Sequence, residues 1–380
     1  MGIAVSGTER TLTRAEIVVT TERLQAVASD WRLLWQAQRG SIFQSHEWIS
    51  AWWDNFDDQR HHRLRIGLLW REERLIAVLP LAICHRKGFR FLEWAAIVHS
   101  DYGGALKAAD CSLSELRDLW NEIAASGGFD IFSITRIVPN SDAARLFDGV
   151  ALSETHATRG ERPEVSYRVG NGDGDGTTWY NSLSKKMRKT YRHGYNVLER
   201  SGNLQFRRLA EDEPLQPVLE RLADLKQRSL QSRGLSSQLF SADMRLLTAF
   251  VDVIRKLSKL HIFVLELDGS IAAISVNFEE HGTMMCWVTT FDAGITQTSP
   301  GLLLMIDYIK WSFDQGLVCV DFLSGGEAFK NRFATHSVVL ESLTGPRNLK
   351  GALGLRAYKL RGKFVALRSS GFAKTQSDEE

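Results

Sequence analysis

The chain has 380 residues, 44% of them apolar and 24% charged, with 47 Lys and Arg against 45 Asp and Glu for a formal net charge of +2. At about 150 residues per domain this length predicts two domains or three, and the composition excludes wholesale disorder and a collagen-like or coiled-coil class. The near-neutral balance gives no global attraction for nucleic acid or membrane, so any basic site must be local.

After a short lead, residues 15–20 read as a strand, and Glu22 to Gln38 carries helical apolar spacing through Leu24, Ala28, Trp31 and Trp35. The next segment, SIFQSHEWISAWWDNF, sets Phe43, Trp48, Trp52 and Phe56 near one helical face. Three β signals follow at Leu64–Trp70, Leu75–Ile83 and Phe91–Ile97, then a helix at Leu113–Ala125 stopped by Gly127-Gly128, then a strand at Phe129–Ile134. The second half repeats this order. HIFVLELDGSIAAISVNFEEHGTMMCWVTTF supplies three strands joined at Asp268-Gly269 and His281-Gly282, both hairpin-type turns, and it is followed by a helix over Leu302–Asp314 and a strand over Leu317–Phe322. REERLIAVLPLA matches LDGSIAAISVNF, and GGFDIFSI matches QGLVCVDF, so the grammar reads as a duplicated domain rather than a repeat array.

The expected organisation is a first domain over 1–169, a Gly/Asp linker over 170–178 and a second domain over 179–380 with a basic tail. Asn171, Asp173 and Asp175 imitate the start of a calcium loop, but its twelfth position is Ser182 rather than a glutamate. Cys84, Cys111, Cys286 and Cys319 show no Cys-x-x-Cys spacing, and His61 and His62, being adjacent, diverge on a strand. Neither a disulfide framework nor a metal site is therefore expected, and a reducing, cytoplasmic setting fits. The opening residues lack a continuous apolar signal segment, and the longest apolar run, Leu75 to Cys84, is about half a membrane span.

Three segments can carry chemistry. SLSKKMRKTYRHGY places Lys185, Arg188, Lys189 and Arg192 three or four apart, so that on a helix their charges converge on a face able to hold phosphate; an ordinary solvated face is the competing reading. In TSPGLLLMIDYIKW, Pro300 suits the first helical position and Ser299 the N-cap, leaving an N-terminus that favours an anion. In GLVCVDFLSGGEAFKNRF, Asp321 is expected to emerge at a strand end, followed by a Gly325-Gly326 turn and by Glu327 and Lys330 on one face. There a carboxylate, Asp321 or Glu327, could take a proton while Lys330 binds an anion or offsets developing negative charge; a salt-bridged loop is the alternative. Cys286 and Cys319 sit in apolar strand patterns and read as core.

SIFQSHEWISAWWDNF, LPLAI with His99-Ser-Asp101-Tyr102-Gly103, SLSKKMRKTYRH, and TSPGLLL with VDFLSGGEAFKNRF together resemble the bacterial CelD/BcsL-type acetyltransferase family over about residues 20 to 345. That family belongs to the GNAT superfamily and is related to the FemAB-like peptidyltransferases. The resemblance implies an α/β fold of tandem GNAT-like domains, each a mixed, mostly antiparallel sheet flanked by helices. It implies acyl transfer, in exopolysaccharide or cell-envelope metabolism, from acetyl-CoA or another acyl-CoA to an amine or hydroxyl of a small-molecule or glycan-precursor acceptor. Asp321, Glu327 and Lys330 match its terminal motif and take the catalytic roles. Ser299 and Gly301, with Lys185, Arg188 and Arg192, would hold the donor, and Asp101 and Tyr102 would face the acceptor. The usual Gln/Arg-x-x-Gly-x-Gly/Ala loop is absent before Leu302, where the chain reads Gln297-Thr-Ser-Pro-Gly. An aminoacyl-tRNA donor, as in the FemAB relatives, and a non-catalytic accessory role in polysaccharide synthesis therefore stay open. DNA is not an expected partner, and no integral membrane segment or metal is expected.

Overall fold

A computed structural model describes residues 13–150, 158–159, 164–172, 174–325 and 330–358. The first half opens with β1 (Thr13–Val18), α1 (Thr21–Ala26), α2 (Ala28–Ala37) and α3 (His46–Asn55). It continues through β2 (His62–Leu64), β3 (Ile66–Arg71), β4 (Arg74–Leu79), β5 (Leu81–Arg86), β6 (Phe89–Trp94), β7 (Leu106–Lys107), α4 (Leu113–Ala125), β8 (Ile131–Ile137), α5 (Asp142–Val150), β9 (Thr158–Arg159) and β10 (Glu164–Gly170). The second half holds α6 (Gly176–Ser182), α7 (Lys185–Ser201), β11 (Leu204–Arg208), α8 (Gln216–Gln231), α9 (Arg245–Leu257), β12 (Lys259–Leu267), β13 (Ser270–Glu280) and β14 (Thr283–Phe291). It ends with α10 (Pro300–Asp314), β15 (Cys319–Ser324), β16 (His336–Pro346) and a helix α11 at residues 349–358.

The hairpins close where the sequence places them. Asp268 and Gly269 have φ of 50° and 74°, and His281 and Gly282 have 50° and 78°. Two successive left-handed residues match the right-handed twist of the strands they join. Two expectations are corrected. The helix read over 22–38 breaks at Val27 (φ −94°, ψ 6°), because the kink lets Leu24, Val27 and Trp31 all reach the core, each 0% exposed. The strand read to Ile97 stops at Trp94, beyond which the chain turns away as a loop.

Pro80 and Arg65 interrupt one long hairpin without ending it. Leu64 pairs with Ala82 and Gly67 with Leu79, and the register passes between them through Arg65 N–H donating to the Leu81 carbonyl at 3.0 Å. Proline has no N–H to give the ladder, so the strand bends there and serves two sheets. Counted this way, the central elements of the two halves match. β2/β3, β4/β5 and β6 form an antiparallel run, α4 crosses, and β8 returns parallel to β6; β12, β13 and β14 do the same, α10 crosses, and β15 returns parallel to β14. β1 edges β3 as β11 edges β12.

The centre of the large sheet runs β14-β15-β10-β16-β8-β6. β10, from the first half, lies against β15 of the second, while β16, from the second, lies against β8 of the first, and the two exchanged strands pair with each other. The Gly/Asp stretch read as a linker follows β10 directly: Gly170 pairs with Cys319, and Asp175 caps α6 by accepting from Thr178 N–H at 2.7 Å. Gly176 packs so tightly on α10 that a Cβ would stand 2.2 Å from the Lys310 carbonyl oxygen. One hydrophobic core spans both halves, with Trp48 stacked on Phe250 at 4.0 Å and edge-on to Trp287 at 5.8 Å. A second lies beneath α10 around Phe263, Leu303, Tyr308 and Val320. Burial of each such side chain stabilises by about 1.5–3 kcal/mol, so the halves are held by packing as well as by the shared sheet.

Candidate active site

Each half contains a parallel strand pair that parts after a few residues. β14 and β15 pair through Thr283–Cys319, Met284–Val320 and Met285–Asp321 and then diverge. From Cys286 to Phe291 the edge of β14 facing β15 has no strand partner among the described residues, so its backbone groups can meet a ligand. The corresponding pair in the first half, Phe91–Ile131 and Leu92–Phe132, also parts. There the gap is closed by the chain itself: Trp94 Nε1 donates to the Thr135 carbonyl at 3.1 Å and Gly103 N–H to the Arg136 carbonyl at 3.0 Å. Gly103 is required at that contact, since a Cβ would meet the Trp94 ring at 2.1 Å.

The loop that closes the first gap, residues 95–105, also delivers two side chains to the second half. Tyr102 is buried, and its hydroxyl lies 2.9 and 2.8 Å from the two carboxylate oxygens of Asp321 and 2.8 Å from Ser166 Oγ. Ser166 Oγ donates to Asp321 Oδ1 at 2.8 Å, as does Leu323 N–H at 2.8 Å, and Arg168 Nε pairs with Asp321 Oδ2 at 2.9 Å. Burial and the neighbouring Asp321 charge hold the Tyr102 phenol well above its ordinary pKa, so it stays a donor. Asp321 does not emerge at the strand end as its sequence position suggests. β15 runs on to Ser324, and Asp321 is paired across to Arg168 of β10, leaving it 1% exposed. Its oxygens are occupied, which suits a group that fixes geometry better than one that exchanges protons with a ligand.

Asp101, next to Tyr102, is half-buried. Burial raises its pKa to about 7; the nearby Arg136 and Lys330 charges and a Ser324 backbone hydrogen bond oppose that rise, and Asp321 adds to it. Arg136 ties the loop down by donating to the Ile97 and Ser100 carbonyls at 2.9 and 2.7 Å, and its Nε donates to Glu164 at 2.7 Å. Ser324 Oγ also donates to Glu164, at 2.6 Å, and Lys330 Nζ reaches the Ser324 carbonyl at 3.4 Å. Burial pushes the Glu164 carboxyl up, but Ser324 and Arg136 outweigh it and hold it below the usual range. Ala96, Arg136 and Leu323 all have positive φ, at 59°, 56° and 58°. For residues with a Cβ this is strained backbone, and three such residues border one cluster.

The structure thus brings together Asp101, Tyr102, Asp321 and Lys330 of the sequence candidates, while Glu327 lies outside the described residues. Arg136, Glu164, Ser166 and Arg168 join them unannounced. The signal for three of these was present: in the strand EVSYRVG, Glu164, Ser166 and Arg168 alternate and so share one face. The donor candidates form a separate group. Ser299 occupies the N-cap of α10 with Pro300 at the first position, but its side chain makes no capping bond. Gly301 is held against Phe291 at the end of β14, where a Cβ would stand 2.8 Å from the ring. Gly194 of α7 meets Thr298 just before α10, its would-be Cβ 2.6 Å from Thr298 Oγ1, so the helix bearing Lys185, Arg188 and Arg192 runs beside that N-terminus. Tyr191 and Tyr195 lock the two helices, both hydroxyls donating to Asp307, the former at 2.5 Å. Burial raises Asp307 to about 6 against those bonds. Cys319 is partly buried and pushed up to about 11, and buried Cys286 is raised as well, so neither is a thiolate at neutral pH.

Residues 185–331 match the acetyltransferase (GNAT) domain family. The fold is one of tandem GNAT-like domains. FemX superposes with a TM-score of 0.55 at 11% identity, over 86% of this chain and 96% of its own. A conserved Bacteroides thetaiotaomicron protein of unknown function gives 0.52 at 14% identity, over 87% of this chain and 99% of its own. The C-terminal DUF2156 domain of an Agrobacterium fabrum protein described as a lysylphosphatidylglycerol synthetase gives 0.51 at 12% identity, over 89% and 96%. No curated protein sequence matches the chain. Among the described residues no helix is long and apolar enough to cross a membrane.

Proposed function

We propose that the protein is a cytoplasmic acyltransferase of the CelD/BcsL type, moving an acyl group from acyl-CoA to an amine or hydroxyl of a glycan precursor or other small envelope-directed acceptor. The donor lies in the unfilled split between β14 and β15, with its phosphates toward the α10 N-terminus and the basic face of α7. The observation that carries this reading is the asymmetry of the two splits: one is closed by Trp94 and Gly103, and the other has an unpaired β14 edge beside Asp101 and Lys330.

In the reaction the acceptor nitrogen or oxygen attacks the thioester carbonyl and its proton passes to Asp101, whose pKa of about 7 suits a base working near neutrality. Lys330 and the β14 backbone N–H groups offset the negative charge on the carbonyl oxygen as the tetrahedral centre forms. Collapse breaks the C–S bond, and the thiolate leaves and takes up a proton. Asp321 is a positioning residue that holds Tyr102 and, through it, the Asp101 backbone. Glu327 stands as a further candidate for the motif's acid–base role. An aminoacyl-tRNA donor is the second reading, favoured by the missing glycine loop at 297–301. Release of free CoA thiol from acetyl-CoA in the presence of amine and amino-sugar acceptors tests the proposal. Thiol release lost in Asp101→Asn supports it, whereas no CoA-dependent thermal shift together with tRNA binding transfers the assignment to the second reading.

A further inference from the structure

Away from the open split, three strands of the first half bring together His62, Cys84 and Glu93. β2 ends the large sheet, beside β5 and then β6. His62 pairs with Cys84 across β2 and β5, and Cys84 pairs with Phe91 of β6, so Glu93, two residues further along, stands on the same face of the sheet. One ligand atom from each of His62, Cys84 and Glu93 lies within 4.8 Å of the other two. The side chains are shielded, at 9%, 7% and 5% exposed. The sequence weighs His62 only against its neighbour His61. The convergence instead comes from two other strands and has no local signal.

The surroundings suit a cation. His62 Nδ1 lies 3.1 Å from the Asp58 carbonyl, which can only accept, so that nitrogen carries the ring proton and Nε2 keeps its lone pair for a ligand. Arg86 Nη1 donates to Glu93 Oε2 at 2.7 Å, which orients the carboxylate and leaves it a second oxygen. His99 adds a separate sign. It is 8% exposed, and its Nε2 has no hydrogen-bond partner. Its ring packs on Phe56 at 6.2 Å, the same ring that His62 meets edge-on at 4.7 Å. Burial, with the His62 charge adding to it, lowers the His99 pKa to about 4, so it is a neutral imidazole at physiological pH. A buried polar atom left without a partner calls for one, and a metal-bound water would supply it.

Imidazole, thiolate and carboxylate together suit zinc, which takes each at about 2.0–2.3 Å in a tetrahedron and would draw the three atoms to roughly 3.5 Å apart. We propose that His62, Cys84 and Glu93 bind Zn²⁺, which staples the three-residue edge strand β2 to β5 and β6, with water in the fourth position on the side of His99. Cys84 binds as the thiolate and gives its proton to solvent. This does not depend on the reaction assigned above. The test is titration of the metal-stripped full chain with Co²⁺ and then Zn²⁺. One equivalent of Co²⁺ should give tetrahedral visible absorption together with a thiolate-to-cobalt charge-transfer band, both displaced by Zn²⁺, and Zn²⁺ should raise the melting temperature. Cys84→Ser should abolish the charge-transfer band, and His62→Gln should weaken Zn²⁺ binding by about a hundredfold or more, while both variants melt near the metal-free protein. The spectrum of the unaltered chain is decisive even if a variant fails to fold. No cobalt binding, or cobalt bound without the charge-transfer band, as at exposed imidazoles such as His61 and His85 with rings 6.3 Å apart, would overturn the proposal. So would a charge-transfer band that persists in Cys84→Ser.

Discussion

The two strand splits are built from the same plan and put to opposite uses. In the first half, the chain leaving β6 doubles back across the gap, and Trp94 and Gly103 bond to β8 where a ligand would otherwise lie. In the second half, the chain leaving β14 runs to α10 instead, and the β14 edge in the gap has no strand partner among the described residues. The plug of the first split is also the arm that carries Asp101 and Tyr102 to the second. One half closes its own split with the same stretch that carries Asp101 and Tyr102 to its partner's, so the packed Trp94 and the half-buried Asp101 lie within a few residues of each other.

The largest effect expected on this view is at Asp101. Asp101→Asn keeps the shape and the backbone contacts but cannot take a proton, so turnover should fall by about 10²–10⁴-fold with no loss of stability. Steady-state kinetics beside thermal unfolding would decide it, and near-normal turnover would move the base elsewhere. Asp321→Ala should behave differently. It leaves Tyr102, Ser166 and Arg168 without their shared acceptor in a buried site, a loss of about 3–5 kcal/mol of stability, measurable as a fall in unfolding midpoint. Trp94→Ala should also destabilise, by about 3–5 kcal/mol through lost packing, yet leave donor KM per folded molecule unchanged. A raised donor KM would show that the first split shares in binding and break the comparison.

A pH series sharpens the contrast further. With Asp101 as the base of the proposed reaction and its pKa raised to about 7, kcat/KM should rise as pH passes through that value and then level. Lys330 pulls this pKa down, so Lys330→Gln should move the limb to higher pH whatever it does to the plateau. Stability runs the other way. Asp101, Glu280 and Asp307 are raised to about 7, 7 and 6, in each case chiefly by burial. For these groups the folded protein holds protons that the unfolded chain has lost, so their contribution is present below about pH 4 and fades as pH rises toward 7. Asp101→Asn should flatten that part of a stability–pH curve. The smallest effect belongs to the exposed helix face: Lys185→Gln, Arg188→Gln and Arg192→Gln together should raise donor KM several-fold, more at low salt than at high, leaving kcat intact.

Much of this architecture could be read in the chain, and the part that could not has a physical reason. Local signals sufficed for the Asp268-Gly269 and His281-Gly282 turns, for Ser299 and Pro300 opening α10, and for the duplicated order of elements, because each depends on neighbouring residues. The exchange of β10 and β16 could not be read, since nothing local to EVSYRVG says which half it will pair with. That one non-local choice buries Asp321 instead of exposing it, and it brings Glu164, Ser166 and Arg168 into the site. Tyr191 and Tyr195 lock onto Asp307, a partner 116 and 112 residues away that nothing local to their helix points to. Arg136 carried no signal at all, because its role rests on a backbone conformation that arginine does not advertise.

Hydrogen–deuterium exchange with and without acetyl-CoA tests the central claim most directly. The account predicts that acetyl-CoA slows exchange along residues 285–291 of β14 and at the start of α10, while residues 94–103 and 131–137 of the first split stay unchanged. Protection confined to the first split, or none in either, would contradict it.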